Sequence, residues 1–296
     1  MKRRTLIKFA GLFPLYTLFN TAQAIANTEN SFKLKAFIEK PKPLFEALVG
    51  NETFSKLVII AGRPSMGKSA VMLNLLDEVS EFKEYKSLFF SIELSKAKAL
   101  QRWQSLQSDV GIKSLNAMYR SQQDTAIGFS SFSNGLAEID DSYTLSVQDL
   151  RKRVELYKAQ QSTLKYVFVD YIQLLNSEQK FPNRLLEVED ILKNLKTMST
   201  DLNLVVIVAS QINLGMESRL DKRPLPTDLR EIRDFRSIDK LVLIYRKKYY
   251  DENADDTIRF TLFENEKNLS HGLFKRADVW FANFNSENHQ ITGLKS

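Results

Sequence analysis

Residues 57–69 read LVIIAGRPSMGKS, an apolar run that passes directly into a glycine-bearing turn and then into AVMLNLLDEV, a segment with helical spacing. The turn, Gly62-Arg63-Pro64-Ser65-Met66-Gly67-Lys68-Ser69, has the order of a phosphate-binding loop: glycine, four residues, glycine, lysine, serine. A buried strand feeding such a loop and a helix belongs to α/β architecture. The glycines let backbone N–H groups curl around phosphates, and the helix directs its N-terminus at the anion. Lys68 is placed to reach the β- and γ-phosphates and Ser69 to ligate a metal. The ligand implied is a nucleoside triphosphate with magnesium. The plain alternative is a glycine–lysine turn that binds nothing.

The rest of the chain supplies further strands and helices. Strands are expected at 57–61, 87–92, 165–169, 204–209 and 240–245, with a short one at 143–146 and a terminal pair at 257–263 and 278–284. Helices are expected from the loop to about residue 82, from Lys96 to Gln107, over 147–160 with Ser146 as N-cap, and from Glu187 to Leu202. Residues 108–135 show no clear period and read as helices and loops, and 213–238 as a long polar stretch. Alternation of strands with helices predicts a mostly parallel, twisted sheet flanked by helices.

Composition narrows the chemistry. The 296 residues contain no cysteine, which excludes disulfides, thiol catalysis and cysteine-based zinc sites. Two histidines, His271 and His289, argue against a histidine metal cluster, and their polar surroundings predict surface positions. A net charge of +6 is compatible with a polyanionic partner without requiring one. Residues 1–24 combine Lys2, Arg3 and Arg4, an apolar stretch from Phe9 to Phe19, and Ala22-Gln23-Ala24. That is the layout of a secretory signal, and Arg3-Arg4 resembles a twin-arginine export signal. An apolar arm docking on a neighbouring subunit is the other reading. The expected division is 1–26 as this arm, 27–55 as a linker with Pro41 and Pro43, and 56–296 as the nucleotide-binding domain.

In parallel sheets ligands sit beyond the carboxyl ends of the strands. Three candidate strands besides the first end in suitable groups there: Glu93, Asp170 and Gln211. Asp170 suits the magnesium shell, with a helix N-cap as its alternative. Glu93 is placed to orient and deprotonate an attacking water, or is an ordinary first-turn glutamate. Gln211 offers an amide that can sense the γ-phosphate, or a loop amide with no such role.

Together these segments resemble the C-terminal ATPase domain of bacterial replicative DNA helicases of the DnaB type. The resemblance spans roughly residues 55–290 and rests on LVIIAGRPSMGKS, FFSIELS with Arg102 downstream, IDDSYTLSVQDLRKRVELY, VFVDYIQLL and ASQINLGMESRLDKRPLPTDLRE. It implies a RecA-like P-loop NTPase core in a hexameric ring that hydrolyses ATP with Mg2+ and moves on single-stranded DNA. It assigns Glu93 as the catalytic base, Lys68 and Ser69 to phosphate and magnesium, Asp170 to the metal site, and Gln211 to coupling with the DNA loop. Arg230 and Glu231, with Arg233 close by, fall in the loop that touches the strand, and the basic residues from Arg219 to Arg236 suit phosphate contacts.

Departures from the family pattern matter. The resembled family carries a separate N-terminal helical domain that binds primase, and the roughly 55 residues before the core here predict that it is missing. Where the family has serine and glycine after Arg230-Glu231, this chain has Ile232 and Arg233, which resist a glycine-like backbone. The family's trans-acting lysine and arginine correspond to Asn265-Glu266-Lys267-Asn268-Leu269, so the finger candidate is Lys267. A lysine lacks the forked donor geometry of arginine, which predicts slow turnover. The expected function is an ATP-driven, helicase-like motor. The alternative is a weakly active relative that regulates replication. ATP chemistry favours the cytoplasm over export.

Overall fold

The computed structural model describes residues 44–50, 55–81, 84–121, 136–265 and 274–296. In chain order these form α1 (Leu44–Leu48), β1 (Lys56–Gly62), α2 (Lys68–Glu81), β2 (Lys86–Ser91), α3 (Lys96–Ser108), α4 (Ile112–Ser121) and β3 (Ala137–Asp140). There follow β4 (Leu145–Ser146), α5 (Val147–Gln160), β5 (Leu164–Asp170), β6 (Leu175–Asn176), α6 (Arg184–Asp201) and β7 (Val205–Gln211). The chain ends with β8 (Lys240–Tyr245), β9 (Thr257–Asn265), β10 (Phe274–Phe284) and β11 (Ile291–Lys295).

Nine strands make one sheet in the order β11-β10-β9-β8-β1-β7-β5-β2-β3. From β8 to β3 every pairing is parallel, and β8 through β11 are joined antiparallel. The central strands carry unbroken apolar runs because both faces are covered. Along β1, Val58 and Ile60 enter the core layer beneath α1, α2 and α3, while Leu57, Ile59 and Ala61 enter the layer beneath α5 and α6. This alternation follows from the period-two direction of strand side chains.

Several expectations are corrected by this architecture. The expected strand at 143–146 is a two-residue pair of β4 with β6, outside the main sheet. The true edge strand is β3, whose Glu138 and Asp140 mask its strand character. Within the segment expected as linker, α1 packs against the core: the Glu78 carboxylate accepts from Leu44 N at 2.9 Å and Phe45 N at 2.6 Å. Those are the orphan donors of a helix start, satisfied from α2. Ser146 caps α5 as expected, accepting from Asp149 N at 2.9 Å. Among the described residues no helix is long and apolar enough to cross a membrane; the apolar segment Phe9–Phe19 lies outside them.

Candidate nucleotide and nucleic-acid site

The loop between β1 and α2 opens into a cavity of about 400 Å3 at the carboxyl ends of the strands. Pro64, Ser65, Gly67, Lys68 and Ser69 form its floor. Gly67 has φ +97°, and a Cβ there would stand 3.2 Å from the Phe284 ring, so only glycine fits. Of the expected phosphate-loop residues, Met66 buries its side chain in the core, leaving only its backbone for a ligand. Arg63 turns its guanidinium sideways: Nε stands 2.9 Å from Glu217 Oε1, off the hydrogen-bond line, and Nη2 lies 3.4 Å from the Tyr249 hydroxyl. The Arg63 carbonyl instead faces the site and accepts from Lys68 Nζ at 3.0 Å.

Burial pushes the Lys68 ammonium below its usual pKa, against the pull of Asp170 and Glu93. Asp170 is 2% exposed. Burial raises its pKa, opposed by a hydrogen bond with the Ser69 side chain. Its Oδ1 is buried with no partner. An orphaned carboxylate oxygen beside a serine hydroxyl is the donor set of a hard divalent cation, so these residues fit Mg2+. Glu93 is exposed at the cavity, and its backbone N–H donates to the Asp170 carbonyl at 3.3 Å, which ties the two carboxylate-bearing strand ends together.

Gln211 lines the same cavity from the end of β7. Its N–H donates to Gln173 Oε1 at 3.1 Å, and Gln173 Nε2 in turn donates to Ser210 Oγ and to the Arg230 carbonyl, each at 3.0 Å. Arg230 N donates to the Gln211 carbonyl at 3.0 Å, and Arg230 Nη1 reaches Gln211 Oε1 at 3.3 Å. Arg230 keeps its side chain 50% exposed, and Glu231 lies between Arg230 and Arg184.

The loop from 213 to 238 is less positive than its arginines suggest. Arg219 grips Asp228 through two bonds of 2.8 and 2.6 Å, Arg223 pairs with Asp221, and Arg236 with Asp234. Arg233, although exposed, donates from Nη1 to the Leu229 and Ile232 carbonyls, which braces the loop. The expected conflict at Ile232 and Arg233 does not arise, because the left-handed residue is Glu231 (φ 61°) and Ile232 is fully buried.

Residues beyond the sequence motifs complete the cavity. Arg246 follows β8, Phe284 closes β10, and Ser286 and His289 come from the turn between β10 and β11. Arg246 lies 3.9 Å over the Phe284 ring and bonds Asp256 Oδ1 at 2.5 Å. Burial tends to raise the Asp256 pKa, but bonds from Ser286 and Arg246 outweigh it and hold the carboxyl low. His289 is half-buried rather than a surface residue. Burial, reinforced by Arg102 and Arg246, lowers its pKa to about 4. His271 and Lys267 lie outside the described residues. The strand-end rule points to Arg246. Nothing local in the sequence points to His289.

A parallel sheet whose first strand enters a phosphate loop, with an acid, a second acid and an amide at neighbouring strand ends, defines a RecA-like P-loop nucleotide-binding core. Residues 44–277 match the family model described as "DnaB-like helicase C terminal domain", and the chain belongs to that family. It is 33% identical over 216 residues to a probable replicative DNA helicase of Trieres chinensis, covering 71% of this chain and 47% of that protein. It is 35% identical over 211 residues to the replicative DNA helicase DnaB of Rickettsia prowazekii, covering 66% and 43%. The chain thus spans somewhat under half the length of these curated relatives. A solved structure of a DnaB-like replicative helicase, described with its interactions with primase, superposes with a TM-score of 0.72 at 23% identity, covering 91% of this chain and 66% of that one.

Proposed function

We propose that the chain is an ATP-driven motor on single-stranded DNA, acting in the manner of a replicative helicase. One observation carries this reading: Gln211 lines the phosphate-loop cavity while its side-chain oxygen accepts from Arg230, an exposed arginine of the basic loop. An amide shared in this way links the occupancy of one site to the position of the other.

The phosphates of ATP rest against the backbone of Ser65 to Ser69, with Lys68 moving from the Arg63 carbonyl to the β- and γ-oxygens. Ser69 and Asp170 are the residues that would hold Mg2+, which when bound supplies charge neutralisation on those oxygens. Glu93 orients the attacking water and accepts its proton. Loss of the γ-phosphate frees the Gln211 amide, and the Gln211–Arg230 contact passes the change to the DNA loop. Arg230, Glu231 and Arg233 form the strand-contacting part of that loop. Arg230 meets phosphates directly, and Arg233 holds the backbone in shape. The motor works as a homo-oligomeric ring in the cytoplasm, with Lys267 as the residue offered to the neighbouring ATP site.

DNA-stimulated ATPase activity, measured together with oligomer mass, tests this reading. Wild-type protein is expected to hydrolyse ATP faster with single-stranded DNA, and Lys68→Ala is expected to lose at least about a hundredfold in rate. Equal rates in the two proteins refute the nucleotide assignment. ATP binding without DNA stimulation or strand movement identifies a regulatory relative instead.

A further inference from the structure

On the face of the sheet opposite Phe284, a second cavity of about 330 Å3 is lined by Arg223, Tyr245, Lys247, Thr257, Arg259 and Phe281. Strand pairing explains its assembly. Tyr245 sits opposite Arg259, and Arg259 opposite Phe281, so β8, β9 and β10 place the three side by side. Alternation along the same strands sends Arg246, Phe260 and Phe284 to the nucleotide face. Arg223 reaches the cavity from the 213–238 loop.

The lining has three cations and no carboxylate. Asp221 stands behind Arg223 at 2.7 Å, and Asp251 beside Lys247 at 3.5 Å, so both partners lie outside the lining. Arg259 makes no ion pair of its own among the described residues, and Asp221 attracts it only across the distance behind Arg223. Its Nε is buried with no hydrogen-bond partner, its guanidinium lies 5.7 Å from the centre of the Phe281 ring, and Arg223 and Arg276 repel its charge. An unsatisfied buried donor in a cluster of cations is costly unless an anion completes it. Phe281, 45% exposed, and Tyr245 offer ring surface beside that anion position. Cations next to exposed rings suit a phosphate that carries a base.

We propose that this cavity is a second phosphate site, which takes one nucleotide unit with its phosphate on Arg259 and Arg223 and its base against Phe281. The same chemistry is carried by a link of a single strand or by a free nucleotide. The strand source rests on the motor reading above, and the free-nucleotide source does not.

Equilibrium binding of the full chain separates these sources. With labelled oligothymidylate, Arg259→Gln is expected to weaken binding about five- to tenfold and to lower the log–log salt slope by about one, while Arg259→Lys keeps most of the slope. ADP binding at the phosphate loop stays unchanged. If the ligand is a free nucleotide, the ADP binding that survives Lys68→Ala disappears when Arg259→Gln is added, and strand binding does not move. Each result supports the site and assigns its source. A folded Arg259→Gln protein, judged by an unchanged unfolding midpoint, that binds both probes like its parent overturns it. A chain that binds no strand at all defeats the motor reading, and the ADP measurement then decides the cavity alone.

Discussion

Phe284 joins three features of the nucleotide cavity through one ring. It fills the space that a Cβ on Gly67 would need, lies under the Arg246 guanidinium, and stacks on His289 with centroids 6.0 Å apart. His289 therefore sits among cations, Arg102 from α3 and Arg246 from the end of β8, with its Nδ1 buried and unpartnered. Burial and the two arginines disfavour the charged imidazole, which lowers its pKa to about 4. An unfolded histidine titrates near 6.5. Above that pH both states are neutral, and the residue adds no pH dependence. As pH falls from 6.5 towards 4, the unfolded chain takes up a proton that the native state refuses, so stability is lost across that window. His289→Asn is expected to remove roughly 1–2 kcal/mol of the stability difference between pH 7 and pH 4.5, allowing for solvent screening. Asparagine tolerates the left-handed backbone at this position (φ 64°). Urea unfolding at the two pH values checks this, and parallel pH profiles for the variant and its parent count against it.

At the scale of elements, the strand ends carry the proposed mechanism. Gln211 closes β7 and bonds both ways to Arg230, while Gln173 buttresses the pair. Gln211→Ala is expected to leave basal ATP hydrolysis near the parent level and to cut the stimulation by single-stranded DNA about tenfold, a coupling of about 1.4 kcal/mol. Stimulation that survives intact would place the coupling elsewhere in the loop. These elements were readable in the sequence for a physical reason. β1, β5 and β7 are buried on both faces and appear as continuous apolar runs, and Asp170 and Gln211 close the last two of them. Glu93 follows a fourth such run. The elements that were not readable owe their placement to distant partners. β11 is short and carries Gly293 in a left-handed turn of backbone, and α1 has five residues whose first amides depend on Glu78, 33 or 34 positions away. His289 enters the cavity because Asn74 on α2 bonds its carbonyl at 2.9 Å and accepts from Ile291 N at 3.0 Å. The 213–238 loop reads as a basic surface in one dimension. In three, Asp221, Asp228 and Asp234 pair with Arg223, Arg219 and Arg236, while Arg230 pairs with Glu231 and reaches Gln211 at the nucleotide cavity.

At the scale of the whole molecule, one sheet separates the phosphate-loop cavity from the basic cavity. Tyr245, the last residue of β8, lines the basic cavity, and Arg246 just after it lines the nucleotide cavity on the other face. β9 and β10 are joined by the 265–274 connection, which includes Lys267, outside the described residues. Under the proposed ring, Lys267 is expected to act on the ATP of a neighbouring copy, so its charge counts only after assembly. A lysine there stabilises transition-state charge as a point, whereas arginine grips two oxygens at once. ATP turnover by the assembled wild-type protein is therefore expected to be slow, and Lys267→Arg is expected to raise it at least about tenfold. The gain belongs to the oligomer and vanishes on dilution to monomer, because a residue acting in trans has nothing to act on there. Turnover measured against protein concentration, with mass recorded at each point, distinguishes the cases. A rate that rises equally in monomer and oligomer, or that does not change in either, removes Lys267 from the neighbouring site and leaves the phosphate loop to work with the residues of its own chain.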